Sequence, residues 1–114
     1  MKSGWFPRRG DLVWLDFHPQ SGREQSGRRP ALILSADDYN KKVGLALCVP
    51  VTSKKKGYPF EVELPSDCRV SGVVLADQLR SLDWRLRNAE FLGRLDEDTM
   101  REILARFLPL ITSS

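Results

Sequence analysis

The chain has 114 residues, of which 41% are hydrophobic and 29% charged, a balance typical of one soluble domain. No apolar run approaches the ~20 residues a bilayer span needs. One histidine and two cysteines, Cys48 and Cys68, do not make a Cys/His zinc spacing, and no GxxxxGK[ST] phosphate loop is present.

Met1 to Arg9 contains no apolar core of the kind a secretory leader carries, which sets the expectation of a cytoplasmic protein with reduced thiols. The net charge of +3 is uneven. Residues 1–57 hold 11 Lys/Arg against 5 Asp/Glu, a net of +6, and residues 58–114 hold 7 against 10, a net of −3. The basic half includes Arg28-Arg29 and Lys54-Lys55-Lys56, which read either as solvated loops or as a phosphate-attracting patch.

In chain order, Asp11 to Phe17 alternates at period two and predicts a first strand. His18 to Arg28 is polar and glycine-rich, a long loop. Pro30 to Ser35 is an apolar run fit for a buried strand, and Asp37 to Asn40 a turn or short helix. Val43 to Thr52 predicts another buried strand, in which Pro50 demands a bulge or an edge. Ser53 to Gly57 is a lysine loop. Tyr58 to Leu64 alternates as a strand, Pro65 to Arg69 turns, and Gly72 to Ala76 is a short strand. A last β-stretch is expected from Trp84 to Leu95, with Gly93 as a bulge.

The period then changes. Met100, Ile103, Leu104, Phe107 and Leu108 fall on one helical stripe, with Asp96 as N-cap, Leu95 and Met100 as a staple and Pro109 as the stop. The prediction is a mainly β protein with one C-terminal helix packed on a small, strongly curved barrel.

The chemistry is expected at the two long loops. Arg29 precedes a buried strand, and its guanidinium can fork two hydrogen bonds onto a phosphate. Thr52 closes its strand with a hydroxyl donor. His18 is the only histidine; without a second to share acid and base roles, it reads as a loop residue.

Three strings carry a resemblance: Gly10-Asp11-Leu12-Val13-Trp14; Gly22-Arg23-Glu24-Gln25-Ser26-Gly27-Arg28-Arg29-Pro30; and Cys48-Val49-Pro50-Val51-Thr52. With Lys56-Gly57-Tyr58-Pro59-Phe60 and Ala76-Asp77-Gln78, they resemble the MazF/PemK (Kid) toxin family, the MazF branch above all, over about Arg9 to Leu110. The resemblance implies an SH3-like curved barrel, a single domain over residues 1–114. It implies metal-independent cleavage of single-stranded RNA without a cofactor, homodimers, and pairing with an acidic MazE-like antitoxin that fills the RNA groove.

The family's essential arginine falls on Arg29, its threonine on Thr52, and the glutamate of its Glu-Gln motif on Glu24. Glu24 either orients Arg29 or accepts the 2′-hydroxyl proton. The Asp-Gln aspartate, a proposed base in Kid-type members, falls on Asp77. Leu75 replaces the Kid-type arginine two residues earlier, and Arg23 replaces the histidine before the Glu-Gln pair.

RNA contacts are expected from Phe17, Arg23, Gln25, Arg28, Ser53, Lys54, Lys55, Lys56, Tyr58, Asp77 and Gln78, with Phe17 or Tyr58 stacking on a base. The alternative is a non-enzymatic gyrase poison of the CcdB kind, which shares the barrel. An inactive interaction module is a third reading. The gyrase toxins end on Trp-Gly-Ile; this chain ends on Leu110-Ile111-Thr112-Ser113-Ser114 and keeps Glu24, Arg29 and Thr52.

Overall fold

The alternation of apolar side chains governs the fold. In the computed structural model, which describes residues 4–17 and 27–113, strand β1 (Asp11–Asp16) sends Leu12 to one face and Val13 and Leu15 to the other. Strands β2 (Arg28–Ile33) and β3 (Leu45–Thr52) repeat the pattern. Leu32, Val49 and Val51 join Leu12; Ala31, Ile33, Ala46 and Cys48 join Val13. The central strands are thus buried on both faces, which is why their sequences read as nearly unbroken apolar runs.

Four shorter strands complete one antiparallel curled sheet: β4 (Glu61–Glu63), β5 (Val73–Leu75), β6 (Arg80–Asp83) and β7 (Glu90–Arg94). The order is β4-β5-β3-β2-β1-β7, with β6 also paired to β3. β3 therefore has two partners on one side. Its register with β6 ends at Cys48 and its register with β5 begins at Val51. Pro50 sits in the gap between them, where the ladder is already broken and a missing N–H does little harm. The bulge expected near Gly93 is present. Leu12 opposes Gly93 and Val13 opposes Phe91, leaving Leu92 as the extra residue.

Each face has its own cover. Helix α2 (Glu97–Thr112) lays Ile103, Met100 and Leu104 on the Leu12 face. Its N-cap is Asp96, whose carboxylate accepts from Thr99 N at 3.0 Å and from Thr99 Oγ1 at 2.7 Å. These bonds hold Asp96 below its ordinary carboxylate pKa. Leu95 and Met100 pack together with the same cluster, as a staple requires. The other face is closed by Trp84, Trp5 and Phe6, with the two indoles edge-to-face at 5.9 Å.

Helix α1 (Asp37–Val43) ends at Gly44, whose φ of 82° makes the left-handed turn into β3. Its Asn40 is fully buried. The Asn40 amide donates to Pro7 O and Ser35 O, its side-chain oxygen accepts from Ser35 Oγ, and its carbonyl accepts from Trp84 Nε1. This network ties the N-terminal segment, α1 and the β6–β7 turn together.

Several expectations are corrected. β2 starts at Arg28, so Arg28 and Arg29 lie in a strand rather than a loop. Val43 belongs to α1 because Gly44 caps the helix only after it. Tyr58 to Phe60 is not strand. Pro59 lacks a donor, Gly57 has a φ of 78°, and Glu61 N bonds Tyr58 O to close a turn. Trp84 to Asn88 is also a turn, nucleated by Asp83 Oδ1 accepting from Arg85 N and Leu86 N and finished by left-handed Asn88. β6 precedes it where no strand was expected.

Pro109 does not stop α2, which continues to Thr112. The proline opens one more turn, where its lost N–H removes a single bond, and Ser113 N still reaches Pro109 O. Beyond Phe107 the stripe leaves the core: Leu108, Leu110 and Ile111 are exposed. Cys48 and Cys68 are free thiols, and burial pushes Cys48 up to about 12.

Candidate active site

The register of β2 and β3 places the two expected catalytic side chains. Ala31 opposes Pro50. Carried two residues on, that register sets Arg29 opposite Thr52, on one face of the sheet. Both line two adjoining clefts. The first, about 540 Å³, lies between Trp14, Ser53, Lys54 and Arg69. The second, about 750 Å³, is walled by Lys54, Lys56, Tyr58, Glu61 and Gln78. Arg29, Thr52 and Lys54 are shared, so the two form one trough with the arginine–threonine pair at its waist.

Local structure points both groups. Thr52 Oγ1 accepts from Lys54 N at 3.2 Å. That uses a lone pair and leaves the hydroxyl hydrogen to donate. Arg29 is exposed, and no carboxylate among the described residues pairs with it. The lysine loop is folded by Glu61, whose carboxylate accepts from Lys56 N and Gly57 N, each at 3.0 Å at its nearest oxygen. At its far end Tyr58 Oη donates to Asp77 Oδ2 at 2.7 Å.

The neighbouring segment must come very close to Thr52. Gly72 has a φ of 130°, and a Cβ built on it would lie 2.2 Å from Thr52 O. Only glycine fits.

The expected RNA-contact residues divide. Ser53, Lys54, Lys56, Tyr58 and Gln78 line the trough. Asp77 does not; it holds Tyr58. Lys55 turns to Glu63 at 2.9 Å, a bond that raises its pKa. Arg28 is a fastener between strands, reaching Asp16 at 2.7 Å, Glu90 at 2.9 Å and Asn88 O at 3.1 Å. Hydrogen bonds from Asn88 and Arg28 hold Asp16 below its ordinary pKa. Glu24, Arg23, Gln25 and His18 lie outside the described residues.

Phe17 does not face the trough. Its ring is 6% exposed, packed in the Val13 cluster beneath the Arg80 guanidinium at 5.4 Å. Of the two aromatics expected to stack, Tyr58, at 46%, is the one left open. Phe17→Ala is expected to lower stability by about 3–5 kcal/mol. The milder Phe17→Leu should leave RNA affinity unchanged. Urea unfolding and RNA titration of the two variants check this.

Sequence reasoning missed Trp14, Glu61 and Arg69. Trp14 reads as core, yet it opposes Pro30 and is only half-buried. Glu61 reads as the polar side of a strand; its bonds to a loop four residues upstream have no sequence signature.

A curled sheet with a cationic trough, an open arginine and a hydroxyl donor offers groups suited to an anion such as a phosphodiester. Comparison with known proteins places it further. Residues 8–111 match the model of the PemK-like, MazF-like toxin of type II toxin-antitoxin systems. The endoribonuclease toxin MazF of Escherichia coli (strain K12) is 48% identical over 111 residues, covering 97% of this chain and 99% of that protein.

Among solved structures, MazF (Form-I) from Deinococcus radiodurans superposes with a TM-score of 0.85 at 54% identity, covering 94% of this chain and 97% of that one. The MazE–MazF complex (Form-II) from the same organism gives 0.84 at 49% identity, over 96% and 99%. The chain belongs to the PemK-like, MazF-like toxin family. The curved β architecture with its C-terminal helix is that of MazF structures.

Proposed function

We propose that this chain is the endoribonuclease of a toxin–antitoxin pair, an mRNA interferase that cuts single-stranded RNA at short sequence motifs. The observation that carries it is the pairing of Arg29 with Thr52 at the waist of the trough, in a chain 48% identical to an endoribonuclease toxin. The gyrase-poison reading has no support from these relatives.

The reaction follows from what the side chains can do. The RNA 2′-oxygen attacks the adjacent phosphorus, its proton leaves to a base, and the P–O5′ bond breaks as O5′ gains a proton. The products are a 2′,3′-cyclic phosphate and a 5′-hydroxyl. Negative charge gathers on the phosphoryl oxygens in between. Arg29 forks two charged hydrogen bonds onto them and Thr52 donates a third. Glu24 orients Arg29 or takes the 2′-proton. Lys54 and Lys56 seat flanking phosphates, and Ser53 and Gln78 add polar contacts.

The protein acts as a homodimer in the cytoplasm. No helix among the described residues is long and apolar enough to cross a membrane. Its antitoxin is an acidic chain of the MazE kind that competes for the trough, since a flexible anionic segment can mimic the phosphate backbone.

The test is a long unstructured RNA incubated with the protein in EDTA, with 5′ ends mapped. Cleavage should persist, leave 5′-hydroxyls at one recurring motif, and fail where the scissile nucleotide is 2′-deoxy. A 5′-phosphate product, or cutting at the deoxy position, would overturn the mechanism.

A further inference from the structure

The trough's open aromatic meets only one ring of its own loop, Phe60, at 5.7 Å between centroids, and that contact leaves the phenol end unheld. Tyr58 stands on a stretch with no strand pairing, next to Gly57 at a φ of 78°. Three side chains from outside fasten that stretch: Glu61 on Lys56 N and Gly57 N, Arg106 on Pro59 O, and Asp77 on the phenol itself. Of these, Asp77 alone touches the Tyr58 ring system.

Asp77 comes from the far side, just after β5, at 2.7 Å. Its other oxygen, Oδ1, is buried without a hydrogen-bond partner among the described residues. The phenol is thus the one polar tie this carboxylate makes among the described side chains. The bond to Asp77 raises the phenol above the ordinary tyrosine range.

We propose that Asp77 is a positioning residue for RNA binding: its carboxylate fixes Tyr58 at the mouth of the trough and presets the ring as a stacking platform for a base. The inference rests on the trough being the RNA site. It gives Asp77 a role distinct from that of a base. The phenol hydrogen bond occupies Oδ2, Oδ1 is enclosed, and Asp77 does not line the trough where the phosphate would sit. An exposed ring free to rotate loses ordering entropy when a base stacks on it; a ring held beforehand has already lost it. Asp77 therefore acts on affinity and leaves the chemical step alone.

Two measurements test this. The first needs no RNA. In a Tyr39→Phe background Tyr58 is the only tyrosine, and its ionisation is followed by ultraviolet absorbance. Asp77→Ala should bring the phenol down toward the ordinary tyrosine value. An unchanged titration would overturn the tie.

The second is steady-state cleavage. Asp77→Ala should raise KM roughly five- to tenfold, part of what a stacked base contributes, with kcat within about twofold. Asp77→Asn, which keeps an acceptor oxygen, should recover most of the loss. Tyr58→Phe combined with Asp77→Ala should be no worse than the poorer single variant. A fall in kcat shared equally by Asn and Ala would make Asp77 a proton carrier and overturn the proposal, as would additive effects in the double variant. If the unaltered protein cut no RNA, the functional reading would fail while the titration still decided the Tyr58–Asp77 tie. Melting curves on each variant separate unfolding from either effect.

Discussion

Arg29→Ala should slow RNA cleavage by about 10²–10³ or more at saturating RNA, the loss typical of removing one fixed donor from a developing oxyanion. The side chain is exposed and no carboxylate among the described residues pairs with it, so melting temperature should barely move. The chemistry of the guanidinium sets the size of the effect. It is planar, always charged, and offers two parallel N–H groups to two phosphoryl oxygens. Arg29→Lys keeps the charge and loses the fork, so it should recover only a small part of the rate.

Binding should respond differently. Removing one phosphate contact lowers the salt dependence of RNA affinity by about one counterion. Thr52→Ala removes a neutral donor and should be the milder defect in rate. Single-turnover cleavage with excess protein, beside salt titrations of binding to an uncleavable 2′-deoxy RNA, reads both. A rate within tenfold of the original for Arg29→Ala would remove the arginine from the reaction.

The sequence made this pair legible but not its geometry. Strand periodicity located β1, β2 and β3 because those strands are buried on both faces and carry little else. It failed where side chains fold loops. Tyr58 to Phe60 alternates like a strand, yet Pro59 and the φ of Gly57 turn it away from the sheet. Trp84 to Arg87 alternates apolar and charged residues as a strand does, yet Asp83 captures two backbone N–H groups and turns it.

Phe17 shows the same limit within the site. It ends a strand beside a loop, which suggests a reader of RNA. Alternation from Val13 through Leu15 instead assigns it to the buried face, and the structure obeys the alternation. Arg28 and Arg29 are adjacent and chemically identical. Neighbours in a strand point to opposite faces, so one meets Asp16 and Glu90 and the other meets the trough. The doublet cannot be divided until the register is known. The family resemblance singled out Arg29 from motif position; the register of β2 on β3 explains why that arginine is the open one.

The second large effect is expected from a residue with no side chain. Gly72→Ala places a Cβ 2.2 Å from Thr52 O, 2.9 Å from Thr52 C and 3.1 Å from Ser53 Cα. All three are backbone atoms, so no side chain can swing aside. The φ of 130° is itself unfavourable for an L-residue, by about 1–3 kcal/mol. The overlap adds about as much again.

Thr52 opposes Val73 in the β3–β5 ladder, and Leu64 N bonds Gly72 O, so β5 is pinned from its other side. The clash bears directly on the backbone at the end of β3, and any yielding there carries Thr52 with it. A displacement approaching 1 Å in a reacting group is enough for about a hundredfold loss of rate. Gly72→Ala should therefore melt well below the unaltered protein and, when assayed far below its own midpoint, still cleave about a hundredfold more slowly. A D-alanine at the same position, introduced by chemical synthesis, favours positive φ and directs its methyl along the other bond. It should recover both stability and rate. If Gly72→Ala were destabilised yet cleaved at full rate once folded, the close approach would serve the sheet alone, and Thr52 would tolerate the shift.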